Sequence, residues 1–186
     1  ISSVAVADNS KYLVDTTSPT LNITSDVATL KAGETALITF TFSEDPGSTF
    51  TWNGSAGDVT LFNGTLSAIS GTGLTRTATF LPTQGLTGGS ASITVNNDLF
   101  TDSAGNLGVG NTLGSLVVNT SPATLMDVQI TSAVGVQNSA LNAGDVVTVT
   151  AHFSEAQTLN TSSGSPTVAL QIGGSTVNAN YASGAG

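Results

Sequence analysis

The residues best suited to chemistry in this chain are carboxylates and carboxamides gathered in three short polar stretches. Asp15 lies in the run from Val14 to Thr20, Glu44 and Asp45 follow Phe42-Ser43, and Asp98, Asp102 and Asn106 lie between Asn96 and Asn106. An oxygen-only donor set suits a hard divalent cation. Calcium in particular takes about six to eight oxygens from carboxylates, carboxamides and backbone carbonyls, and Asn97 could add one more. Transition metals are disfavoured, because the chain has no cysteine and one histidine while those ions prefer nitrogen and sulfur ligands. The competing reading is that Asp and Asn shape turns by hydrogen-bonding their own backbone.

Other constellations are weaker. His152 is the one candidate general base, but it falls on the outward phase of an alternating strand. Glu44-Asp45 is a carboxylate pair of the kind glycosidases use, yet adjacent turn residues point apart. Trp52 and Tyr181 could stack on sugar rings, although a tryptophan on the third strand of a sandwich is usually core. The N-x-S/T sequons at Asn22, Asn53, Asn63, Asn119 and Asn160 are what an Asn/Ser/Thr-rich chain produces by chance. No catalytic constellation emerges, and the chain is read as not an enzyme.

The elements that must position the carboxylates are set by an internal repeat. Leu30-Lys31-Ala32-Gly33-Glu34 followed by an alternating run to Phe42-Ser43-Glu44 recurs as Leu141-Asn142-Ala143-Gly144-Asp145 running to Phe153-Ser154-Glu155, 111 residues later. In the first copy Ala36, Ile38, Phe40 and Phe42 share one face and Thr35, Thr39 and Thr41 the other. In the second, Val147, Val149, Ala151 and Phe153 keep the phase. Period two with threonine on the wet side marks a half-buried antiparallel strand. A repeat near 110 residues fits tandem β-sandwich domains rather than a solenoid. The fold class expected is all-β, as tandem immunoglobulin-like antiparallel β-sandwiches, the second incomplete. In such a sandwich the start of strand A, the B–C loop and the F–G loop share one end. That topology gathers Asp15, Glu44, Asp45, Asp98 and Asp102 at the mouth of the first module.

Composition narrows the function classes. Of 186 residues, three are basic and twelve acidic, for a net charge of −9. That excludes nucleic acid, which requires clustered Lys and Arg, and disfavours anionic membrane surfaces. No apolar run is long enough for membrane insertion as a helix. The 39% hydrophobic content in alternating runs is enough to bury a core. Sandwiches without a disulfide point to a reducing compartment or to an extracellular scaffold stapled by a cation, and the carboxylates at strand ends favour the second.

Along the chain, residues 1–14 read as the closing strand of a preceding module, so that Ile1 opens within a longer protein. Residues 15–119 form module one. Its strands are expected at Leu21–Ile23 (A), Ala36–Phe42 (B), from Phe50 and Trp52 (C) with Val59, Leu61 and Phe62 continuing that side past a Gly-Ser-Ala-Gly loop, Leu66–Ile69, Leu74–Leu81, Ala91–Val95 (F) and Leu113–Val118 (G). Arg76 shares the phase of Ala78 and Phe80 and is expected at the rim. Residues 120–186 form a truncated module two, with strands near Leu125–Ile130, Val146–Phe153, Val168–Ile172 and Val177–Tyr181. Four strands of a seven-strand plan leave an inner face and an edge open, so the chain is expected to continue past Gly186 or to be completed by another chain.

The three motifs Val14-Asp15-Thr16-Thr17-Ser18-Pro19-Thr20, Phe42-Ser43-Glu44-Asp45-Pro46 and Thr101-Asp102-Ser103-Ala104-Gly105-Asn106, in order and at sandwich spacing, resemble the bacterial Ig-like repeats of large RTX-type, biofilm-forming surface adhesins. The resemblance covers residues 15–118. It implies rod-like modules in series, stiffened by calcium at their junctions, in a secreted, cell-surface protein. The function expected is therefore the extender region of a calcium-dependent bacterial adhesin, with neighbouring modules and calcium as partners. Metal ligands are expected among Asp15, Glu44, Asp45, Asp98, Asp102 and Asn106. At the second junction Asn119 replaces Asp15, and Glu155 could meet the far end of module one near Asp26 and Glu34. The alternatives are a carbohydrate-binding or accessory module of a secreted enzyme, and a fibre subunit whose homo-assembly runs through open β edges by strand exchange.

Overall fold

A computed structural model describes residues 14–156 and 159–184; apart from Val14, the strand expected in residues 1–14 lies outside the described residues. Twelve strands and no helix are found among them. The chain divides into two compact units between Ser121 and Pro122.

The first unit is built around β3 (Ala36–Phe42), whose exposure alternates as the sequence predicts: Ala36, Ile38, Phe40 and Phe42 are buried and Leu37 and Thr41 are exposed. It pairs with β1 (Leu21–Ser25) on one edge and β6 (Thr75–Pro82) on the other, and β5 (Gly64–Leu66) extends β6. The second sheet has the order β2 (Thr29–Lys31), β8 (Asn111–Asn119), β7 (Ser90–Val95), β4 (Val59–Phe62). These are the A-B-E-D and A′-G-F-C sheets of an immunoglobulin-like sandwich. Ile38, Phe40, Phe80, Ile93, Leu116 and Val118 fill the space between them, each fully buried. Each such side chain contributes roughly 1.5–3 kcal/mol by leaving water.

One pair departs from an all-antiparallel plan. The first strand is split, and its second half, β2, runs parallel to β8. Asp26 ends the β1 ladder: its N–H donates to the Leu37 carbonyl (3.2 Å) and its Oδ1 accepts the Leu37 N–H (2.8 Å). The chain then crosses to the other sheet.

Two strand expectations are corrected. Phe50 and Trp52 do not begin strand C, which is β4, starting at Val59. Asp58 explains why: its Oδ2 accepts the Thr51 N–H (2.6 Å) and its own N–H donates to the Thr51 carbonyl (2.9 Å). Trp52 bridges to Gly57, so residues 50–58 close on themselves instead of joining β7. Trp52 is half-buried against the core and its indole N–H donates to the Leu66 carbonyl (3.4 Å). Strand D, in turn, lies at Gly64–Leu66 and ends where the expected Leu66–Ile69 strand would begin.

In the second unit β9 (Leu125–Val134) pairs with β10 (Val146–Phe153), and β11 (Thr167–Ile172) with β12 (Ser175–Asn180), all antiparallel. The repeat is visible in atomic detail. In copy one Ser43 N–H donates to the Thr20 carbonyl and Ser43 Oγ accepts the Thr20 N–H. In copy two Ser154 and Thr124 make the same two bonds. Before the strand, Glu34 Oε2 accepts the Lys31 N–H and the Glu34 N–H donates to the Lys31 carbonyl, and Asp145 and Asn142 repeat this clasp. The intervening Gly33 and Gly144 hold φ of 80° and 99°, which a side chain disfavours. Burial differs between the copies: Phe42 is 3% exposed and its counterpart Phe153 is 43% exposed.

Candidate metal centre

Three loops of the first unit meet beyond the end of β3. Glu44 is carried one residue past the Ser43–Thr20 clasp, so its position follows from the β1–β3 ladder. Asp102 sits in the F–G loop between β7 and β8, and Asp15 in the segment before β1. Two anchors hold the loops. Phe50 from the B–C loop and Phe100 from the F–G loop both pack edge-on against Phe42, with ring centroids 5.0 and 5.3 Å away. The Thr101 N–H donates to Thr49 Oγ1 (3.0 Å), whose hydroxyl lies 2.6 Å from the Pro46 carbonyl. The leading segment is fixed against the F–G side as well: the Val109 N–H donates to the Pro19 carbonyl (2.8 Å) and the Leu21 N–H to the Val109 carbonyl (3.1 Å).

As a result one carboxylate oxygen from each of Asp15, Glu44 and Asp102 lies within 4.8 Å of the others. Asp15 is exposed, Glu44 half-buried and Asp102 buried. Asp102 is held rigidly: its Oδ1 accepts the N–H groups of Ala104 (2.8 Å) and Asn106 (2.9 Å), and its Oδ2 accepts Asn106 Nδ2 (2.8 Å). The Asn106 side chain, followed by these backbone donors, holds the Asp102 carboxyl below its usual range against the opposing effect of desolvation. Glu44 is pushed the other way, first by desolvation and then by the neighbouring charges of Asp15 and Asp102 and its hydrogen bond with Asp15. Three negative groups this close repel one another, and a divalent cation relieves that repulsion.

The remaining expected ligands sit differently. Asp45, next to Glu44, turns away: its Oδ1 accepts the Gly47 N–H (2.8 Å) and Arg76 Nη2 (3.3 Å). Asp98 is in the left-handed region, φ 66°, a turn position that Asp tolerates, and lies outside the three-carboxylate group. Asn106 is at the site as a donor: Nδ2 reaches Asp102 Oδ2 and the Asp15 carbonyl (3.2 Å), so both partners fix its amide with nitrogen inward. Asn97 Oδ1 accepts the Gly110 N–H (2.9 Å) and shapes its loop. Asp26 and Glu34 are each engaged locally, as described for the β1 bend and the Lys31 clasp. His152 pairs across the strand with Asp127 Oδ1 (2.5 Å) on an exposed face.

Arg76 corrects the expectation of a rim position. It is 6% exposed, and it donates to the carbonyls of Gly47 (2.6 Å) and Phe50 (3.0 Å) as well as to Asp45. Its guanidinium carbon lies 5.6 and 5.8 Å from the ring centroids of Phe42 and Phe50, within cation–π range. Its inward phase in the sequence was the signal. The buried cation is tolerated because the B–C loop supplies oxygens and an aromatic face. Thr49 had no comparable signal, since its role depends on a loop contact across 52 residues.

Residues 15–118 match the family described as Bacterial Ig-like domain. The chain belongs to the bacterial Ig-like domain family. Comparison with curated proteins and with solved structures found no match. Bacterial Ig-like domains commonly occur in extracellular or surface proteins and are typically non-enzymatic structural modules. Among the described residues no helix is long and apolar enough to cross a membrane.

Proposed function

We propose that this bacterial Ig-like chain is a structural extender region of a calcium-dependent cell-surface adhesin, stiffened by a cation at the leading end of module one. The observation that carries this reading is the convergence of Asp15, Glu44 and Asp102, from three separate segments, to within 4.8 Å. Asp15 stands in the segment leading into the module, so a cation shared with Glu44 and Asp102 ties that segment to the sandwich body. Three carboxylates offset a divalent charge with one negative charge to spare, and calcium tolerates their irregular, oxygen-only disposition better than magnesium, which demands near-ideal octahedral geometry.

In the cation-free state the cluster holds unrelieved negative charge, and Asp15-Thr16-Thr17-Ser18 acts as a hinge up to the Pro19–Val109 bond. With calcium bound, the hinge closes and consecutive modules are held in line. Extracellular modules of this type bind at roughly 10⁻⁴–10⁻³ M, which suits a site filled outside the cell. The test is thermal melting with calcium and with chelator, on the parent chain and on Glu44→Gln. A calcium-dependent rise in midpoint that the variant lacks supports the reading; equal midpoints in the parent chain refute it.

A further inference from the structure

The first unit contains two Asn-Gly pairs, Asn53-Gly54 and Asn63-Gly64, in opposite surroundings. We propose that Asn53 is a site of spontaneous deamidation in the folded protein, and that the fold protects Asn63 from the same reaction. The inference is independent of the cation reading.

Asn53 is exposed at the tip of the B–C excursion. Its side-chain carbonyl oxygen accepts three hydrogen bonds, from Ser55 N–H (3.0 Å), Ser55 Oγ (3.1 Å) and Ala56 N–H (2.8 Å). Donors converging on a carbonyl oxygen polarise it and stabilise the oxyanion formed when a nucleophile attacks. The next residue is glycine, whose amide nitrogen is the least hindered of any residue's. In the reaction, hydroxide removes the Gly54 amide proton and the nitrogen forms a bond to Asn53 Cγ. The tetrahedral oxyanion then collapses, the Cγ–Nδ2 bond breaks, and the departing nitrogen takes a proton from water, leaves as ammonia and returns hydroxide. Water opens the resulting cyclic imide at either carbonyl, giving aspartate or isoaspartate. The isoaspartate product lengthens the main chain at the point where the Asn53 N–H donates to the Ala56 carbonyl (3.1 Å).

Asn63 shares the dipeptide but lacks the freedom. Its Nδ2, the leaving group, donates to the Ser90 carbonyl (2.9 Å), and its own carbonyl accepts the Thr83 N–H (3.0 Å). Gly64 belongs to β5, opposite Pro82. A Cβ there would stand 2.1 Å from Phe80 Cζ, against 3.2 Å from the Ala68 nitrogen for one at Gly54, so the main chain at Gly64 is the more tightly packed of the two and lies against a buried ring.

The experiment incubates the whole chain in mildly alkaline buffer, folded and in concentrated urea, and maps the gain of about 1 Da and isoaspartate by peptide mass spectrometry. In the folded chain Asn53 converts about tenfold or more faster than Asn63, and in urea the two rates converge. Asn53→Ser, which keeps an oxygen acceptor at the turn, removes the folded-state signal. Equal rates at the two sites in the folded chain, or conversion at Asn53 only after unfolding, would overturn the proposal.

Discussion

At the scale of single residues, the cation-free cluster opposes folding through Glu44 and supports it through Asp102. A glutamate whose carboxyl is raised in the folded state binds protons better folded than unfolded. Its contribution is therefore favourable at low pH and is lost as pH rises from the ordinary value of 4.5 through the raised folded value. Asp102 has the opposite sign: its contribution is present above its ordinary 3.8 and is lost as pH falls through the lowered folded value. In chelator, Glu44→Gln is accordingly expected to melt higher than the parent at neutral pH and to lose that advantage near pH 4, as followed by circular dichroism. A melting advantage independent of pH would contradict this assignment. Arg76→Met leaves the buried Phe50 carbonyl and the Gly47 carbonyl without their donor, and is expected to cost about 2–4 kcal/mol in urea unfolding. A cost under about 0.5 kcal/mol would return Arg76 to the rim role its charge suggests. Residue types together with the expected sandwich topology identified the three converging carboxylates along with two that do not converge. Asp45 and Glu44 are adjacent, and the Gly47 and Arg76 partners of Asp45, contacts that residue types do not reveal, turn it away from the cluster. Asn106 was legible as a site residue but not as a donor, because an amide's orientation is set by its neighbours.

At the scale of elements, the two copies of the A–B hairpin provide an internal control. Leu21 opposes Phe42 and Leu125 opposes Phe153 in the strand registers, and the serine and acidic clasps recur at both ends. What differs is the partner across the core: β3 has β6 on its second edge and a facing sheet, whereas β10 pairs with β9 alone among the described residues. Phe42→Ala is therefore expected to cost about 3–5 kcal/mol in this chain, and Phe153→Ala less than about 1 kcal/mol, by denaturant unfolding. Equal costs would mean that Phe153 is covered as fully as Phe42. Alternation made β1, β3, β7 and β8 legible, since a strand half-buried on a sheet shows its period directly. Val59, Leu61 and Phe62 were legible as part of strand C, but its start was set too early because Phe50 and Trp52 are apolar and spaced by two, yet they serve as a plug and a loop wall. Their backbone is tied to Asp58, a tertiary choice that periodicity does not register. The parallel β2–β8 pair is three residues long, too short to display any period.

At the scale of the whole molecule, the family assignment rests on residues 15–118, and the proposed role is mechanical: a module whose leading joint is stiffened by an ion. The most direct test of the central claim is the melting of module one, followed through the Trp52 fluorescence, with about 10 mM calcium and with chelator at neutral pH. For a site of roughly 10⁻⁴–10⁻³ M, binding only to the folded state adds about 1.4–2.7 kcal/mol. A rise of several degrees is expected, and Asp102→Asn and Glu44→Gln each abolish it. Superimposable curves with and without calcium would contradict it.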